Sequence, residues 1–185
     1  VKQVTQVKEM QMAFRNEWAW VVGLMLVVAA MGQGCSSRPE MAERNVVVTL
    51  DDTLARAAAV EVNLIGANDT DFPRVASRSV DEYWRDVAGD RAPSDRYIMK
   101  LSGADRTKTL SRTDPIWQKW RAKGAMRLVA IAFIPGVSGS GEGERDPRRI
   151  ILPLDKNRWK ELVDIRIIAS QSGLSCPTQP EPEKK

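Results

Sequence analysis

The run VDIRIIAS at Val163–Ser170 sets Val163, Ile165 and Ile167 against Asp164 and Arg166. A period of two puts the apolar set on one face of a strand and the charged set on the other. A strand of this kind is stable only when its apolar face meets a second apolar surface, so a chain built from such runs must fold into packed layers. VVVTL at Val46–Leu50 is a short β-branched run, and VEVNLIG at Val60–Gly66 alternates in the same way. In the latter, Val60, Val62 and Leu64 are expected to face inward, and Glu61 and Asn63 outward. RYIMKL at Arg96–Leu101 is a further strand. AMRLVAIAFIP, Ala125–Pro135, is a central strand ended by proline, and RRIILPL returns beside it across the Gly/Ser/acid loop GVSGSGEGERDP.

Two helices interrupt this pattern. In SVDEYWRDV, Ser79 followed by Glu82 is a capping box, which predicts a helix over Val80–Val87 with Val80, Tyr83, Trp84 and Val87 buried. In TDPIWQKWRAKG, Asp114 is placed to cap, Pro115 to open the first turn and Gly124 to close the last. Ile116, Trp117 and Trp120 then fix this helix to a sheet; the sharper alternative makes a tryptophan an exposed anchor for a partner. The polar stretches ANDTDFPR and LSGADRTKTLSR read as a loop and a turn region. Later strands follow one another without intervening helices. The fold class expected is therefore mainly β: a two-layer antiparallel β-sandwich with two short helical insertions, a parallel βαβ sheet being the alternative.

Ahead of these runs lies an apolar stretch from about Trp18 to Met31, shorter than the roughly 20 residues of a membrane-spanning helix. Lys2, Lys8 and Arg15 precede it and small residues follow, ending in AAMGQGC. That order is the one found in secretory signals, and Met10 or Met12 would begin a conventional one. The small residues before Cys35 resemble a bacterial lipoprotein signal, although Gly32 stands where leucine is usual. The resemblance implies that Cys35 receives lipid, with more than one acyl chain giving stable attachment. Residues 1–34 are then a signal peptide, 35–45 a lipidated tether, 46–175 the sandwich domain and 176–185 a disordered Pro- and charge-rich tail. Ser36 and Ser37, in place of an aspartate retention signal, favour the outer membrane. The alternatives are an ordinary cleaved signal and an uncleaved anchor; both also export the domain.

Composition narrows the chemistry. No histidine occurs, which removes the commonest general base, Ser-His-Asp and Cys-His arrangements and most zinc sites. Asp51–Asp52 and the Glu142–Asp146 segment fall in turns and are read as solvated, not catalytic. No cofactor, metal or catalytic residue is expected, and a formal charge of +4, evenly spread, does not argue for nucleic acid. The glycine-rich loop lacks a Gly-Lys-Ser/Thr ending and opens onto no helix, so it is no phosphate loop. With Cys35 lipidated, Cys176 is a single thiol in an oxidising compartment.

The order of a lipidated cysteine, a short tether, a strand ending near an Asn/Pro loop, LVAIAFIPG, RRIILPLDKNRW and VDIRIIASQSGL is similar to the outer-membrane lipoprotein of the type VI secretion membrane complex. The corresponding positions are Leu128–Phe133, Arg149–Trp159 and Val163–Leu174. The middle departs: that family continues into a valine-rich second strand where this chain has RVASRSVDEYWRDV. The resemblance implies a transthyretin-like sandwich and a non-enzymatic, structural role on the periplasmic face of the outer membrane. The protein partner would be the periplasmic domain of a large inner-membrane secretion component. It also implies that the loop after the first strand, Asn68–Ser79, makes that contact, with Asn68, Asp69, Asp71, Phe72 and Arg74 as partner-binding candidates. A second reading is a periplasmic lipoprotein that binds a small ligand or cell-wall glycan on Trp84, Trp117 and Trp120.

Overall fold

In the computed structural model, residues 40–87, 95–137, 143–161 and 163–183 are described. Cys35 and the apolar run before it lie outside them. The alternating runs form strands β1 (Val46–Leu50), β2 (Val60–Ala67), β3 (Arg96–Leu101), β5 (Arg127–Phe133), β6 (Arg149–Pro153) and β7 (Ile165–Ser170). Two more, β4 (Thr107–Leu110) and β8 (Gly173–Ser175), complete two four-stranded sheets ordered β4-β1-β7-β8 and β3-β2-β5-β6. The second sheet is antiparallel throughout. In the first, β1 and β7 run parallel, Val46 opposite Ile165 through Leu50 opposite Ala169. They come from opposite ends of the domain, so the rest of the chain is the crossover that a parallel pair requires.

Alternation assigns the inner faces. Val46, Val48, Leu50, Leu110, Ile165, Ile167 and Ala169 from one sheet meet Val60, Val62, Leu64, Met99, Leu101, Leu128, Ala130 and Leu152 from the other in one buried cluster. The expected mainly β, two-layer sandwich is the observed fold.

Among the described residues, four short α-helices, not two, decorate it: α1 (Asp52–Ala57), α2 (Phe72–Ser77), α3 (Val80–Val87) and α4 (Ile116–Ala122). The stretch read as a loop at 68–79 thus contains a helix. The stretch read as a turn region at 101–112 contains β4. Its polar residues sit at a sheet edge, where only Leu110 is buried.

The capping box at α3 forms as expected: the Glu82 N–H donates to Ser79 Oγ at 3.1 Å and the Ser79 N–H to Glu82 Oε2 at 3.2 Å. At α4 the Ile116 N–H donates to Asp114 Oδ1 at 2.9 Å, and Gly124 ends the helix with φ of 73°. Trp120 packs directly against Gly66, where any Cβ would collide with its ring.

Helices α2 and α3 form a third layer over the outer face of β2 and β5. Ile65, Val129 and Ile131 from the sheet pack there against Val80 and Tyr83, with Phe72, Val75 and Trp84 at the margin. Asn63, expected to face solvent, faces away from the sandwich but lies buried beneath α3, where its Nδ2 donates to Tyr83 Oη at 3.0 Å.

Both flanks are more ordered than their sequence suggests. Met41 and Ala42, assigned to the tether, are buried in the main core, and the Ala42 N–H donates to the Leu154 carbonyl. The segment expected to be a disordered tail is hydrogen-bonded as far as Glu181. Arg166 N–H donates to Thr178 Oγ1 at 3.1 Å, and Glu181 N–H to the Arg158 carbonyl at 2.7 Å.

Candidate functional site

The turn between β2 and α2 is built by Asn68. Its Oδ1 accepts from the Asp71 N–H at 2.7 Å, and its Nδ2 donates to the Lys123 carbonyl at 3.0 Å, beyond the end of α4. Both polar atoms of the side chain are therefore occupied inside the molecule, so Asn68 shapes the surface more than it presents itself. Pro73 in the first turn of α2 fixes the backbone without requiring an N–H partner.

Asp69 and Asp71 follow in this turn, and Phe72 and Arg74 in the first residues of α2. Asp69 is 84% exposed and pairs with Arg127 at 2.5 Å. Arg127 also lies 4.3 Å above the centroid of the Phe72 ring, a cation–π contact. Phe72 is half-buried: it packs against the cluster under α2 and α3 and carries the guanidinium over its ring. Asp71 is within 3.8 Å of Lys123 and 3.9 Å of Arg74, and Arg74 is itself 74% exposed. The result is a polar, mixed-sign surface with one aromatic at its centre. The candidates are contiguous in sequence; Arg127 and Lys123, absent from the sequence-based set, complete the surface. No sequence signal tied them to Asp69 and Asp71, because the pairing depends on β5 lying beside β2.

A second charge cluster contains Asp146, which sequence reading treated as part of a solvated turn. Asp146 is 2% exposed. The Arg148 guanidinium grips it through two bonds, Nη2 to Oδ2 at 2.8 Å and Nε to Oδ1 at 3.1 Å, and reaches Asp81 at the start of α3 at 2.6 Å. Burial opposes ionisation of Asp146, but the hydrogen bonds and charge of Arg148 outweigh it and hold the carboxyl below the ordinary aspartate range. The same contact, Asp146 first, raises Arg148 above its ordinary value. Arg149, also buried, donates to the carbonyls of Ala76 at 2.6 Å, Arg78 at 2.6 Å and Gly143 at 2.8 Å.

The chain is similar to proteins of the type VI secretion membrane complex. Lip from Serratia marcescens, described as a membrane-bound component of that system, is 18% identical, covers 78% of this chain and 100% of its own, and gives a TM-score of 0.42. A chain of a type VI membrane complex is 12% identical over 74% of this chain and 98% of that one, with a TM-score of 0.47. The lipoprotein TssJ1 from Pseudomonas aeruginosa is 14% identical over 76% of this chain and 100% of that one, with a TM-score of 0.38. No protein-family model matches the sequence, and no curated protein matches it significantly.

The tryptophans sort by burial. Trp117 and Trp120 are 1% and 0% exposed, stacked edge to face at 4.9 Å, with their indole N–H groups donating to the Ser111 and Asp95 carbonyls. They offer no stacking face to a sugar, so the ligand-cleft reading loses two of its three aromatics. Trp84 is half-buried, donates to the Ala132 carbonyl and meets the exposed Phe133 edge to face. Among the described residues no group of three or more His, Cys, Asp or Glu could hold a metal ion, and no helix is long and apolar enough to cross a membrane.

Proposed function

We propose that this chain is a lipid-anchored structural adaptor of a type VI secretion-like envelope complex, held to the periplasmic face of the outer membrane through Cys35. Its end surface of Asp69, Asp71, Phe72 and Arg74 binds the periplasmic domain of a large inner-membrane subunit. The observation that carries this reading is the surface itself. A side-chain-capped turn holds an aromatic in place, with exposed charges of both signs around it. Such a centre-and-rim arrangement suits a protein partner: the apolar centre contributes affinity, and the rim sets orientation and rate. The signal-then-cysteine pattern supplies the anchor.

Two measurements test it. Cells expressing wild type or Cys35→Ser are fractionated; the wild type is expected in the outer-membrane pellet and the variant in the soluble periplasm. A variant retained fully in the membrane would replace the lipid with an uncleaved helix. Wild-type chain immobilised in detergent should capture the purified periplasmic domain of the inner-membrane subunit from the same secretion cluster, and absence of capture would end the adaptor reading.

A further inference from the structure

Two consecutive buried arginines, Arg148 in the turn just before edge strand β6 and Arg149 at its first position, need a physical reason. Taking a guanidinium out of water is costly, and replacing a buried ion pair with apolar residues is often neutral or stabilising for a fold. The sandwich core does not need them: it closes on the inner faces of the two sheets. The contacts of Arg148 and Arg149 run instead to the helical layer. Arg149 ties together the last turn of α2 at Ala76, the link to α3 at Arg78 and the 3-10 turn at Gly143. A planar fork serves several carbonyls at once, which the single ammonium of a lysine cannot. Arg148 holds Asp81 in the first turn of α3 and, through Asp146, the same 3-10 segment. The α2–α3 link and the first turn of α3 are thus pinned to the start of β6 and the turn before it.

We propose that Arg148 and Arg149 are positioning residues that preorganise α2 and α3 as a rigid platform, so that Phe72 and its charged rim are presented in binding-ready form. The binding half of this inference rests on the adaptor reading above; the rigidity half does not. Neither arginine lies in the candidate contact set. When only a fraction of the protein holds the competent conformation, apparent affinity falls by that fraction. Loosening the platform should therefore weaken binding without removing any contact residue.

The test uses the full chain in detergent micelles, with Arg149→Met, Arg149→Lys and Arg148→Lys compared with wild type by amide hydrogen exchange. Residues 73–87 should exchange about tenfold faster or more in Arg149→Met, while β2, β5 and β7 keep their protection. Arg149→Lys should fall between, since it keeps the charge and loses the fork. Binding of the purified periplasmic domain of the inner-membrane subunit should weaken about tenfold in Arg149→Met, following the exchange data. Unchanged exchange at 73–87, or acceleration spread equally over the strands, overturns the clamp. A loosened platform with unaltered affinity overturns preorganisation. Wild-type chain that binds no such domain, with the local exchange change still present, removes the adaptor reading and leaves the clamp standing.

Discussion

Phe72 sits between two roles, and its neighbours show how to separate them. The ring packs against the Ile65–Val129–Tyr83 cluster and lies under Arg127. Truncation to alanine therefore removes some packing whatever binds there, about 1–2 kcal/mol for a half-buried aromatic. If the ring is also the centre of the partner surface, Phe72→Ala should cost a further ~2 kcal/mol or more in binding. Affinity measured well below the melting temperature of the variant isolates the second effect. Full affinity with only a lower melting temperature would make Phe72 a plug for the end of the helical layer. The sequence showed an aromatic in a polar stretch; it did not show Arg127 above it, because the two are joined only by strand pairing. Cys176 is a parallel case. The sequence shows a lone thiol, while half-burial against the core, which pushes that thiol up, is a tertiary fact.

At the scale of elements, the strongest local signals were legible. The Ser79/Glu82 box marks the start of α3 because its reciprocal bonds need only four consecutive residues. Ser79→Ala should destabilise the domain by about 1 kcal/mol, read as a lower denaturation midpoint at unchanged slope. A change below measurement would mean that packing of Val80 and Tyr83, not the cap, sets where the helix begins. The elements that were missed lack such signals. Helix α2 has Pro73 in its first turn and is only 6 residues long, so its period never repeats. Strand β4 is Thr-Lys-Thr-Leu, polar because one face is solvent and its neighbour on one side is absent. In α1, Asp51 caps by accepting from the Leu54 N–H at 2.7 Å, so a pair read as a plain acidic turn was in part a helix start.

For the whole molecule, the buried Asp146–Arg148 pair gives a pH dependence with a definite sign. The Asp146 carboxyl has a lower pKa folded than unfolded, so ionised Asp146 favours the fold. That contribution is complete above the unfolded value of about 3.9 and is lost as pH falls through the lower folded value. The melting temperature should therefore drop in acid. The drop should be shallower in the double variant Asp146→Leu/Arg148→Leu, which removes both charges and leaves neither unpaired. An identical acid profile in that double variant would assign the loss to other carboxylates.

By itself, the sequence determined the fold class, most of the strands and two of the helices. Each rests on information within a few residues: period-two alternation, capping chemistry, and the Pro-in and Gly-out ends of α4. Only the tertiary structure decided that β1 and β7 pair in parallel and that Asn63 lies under a helix. It also decided that Asp146, Arg148 and Arg149 are buried beside the helical layer. The reason is physical. Whether a polar side chain is solvated or buried depends on what covers it, and here the covering groups lie tens of residues away, brought close by sheet order that no local pattern encodes.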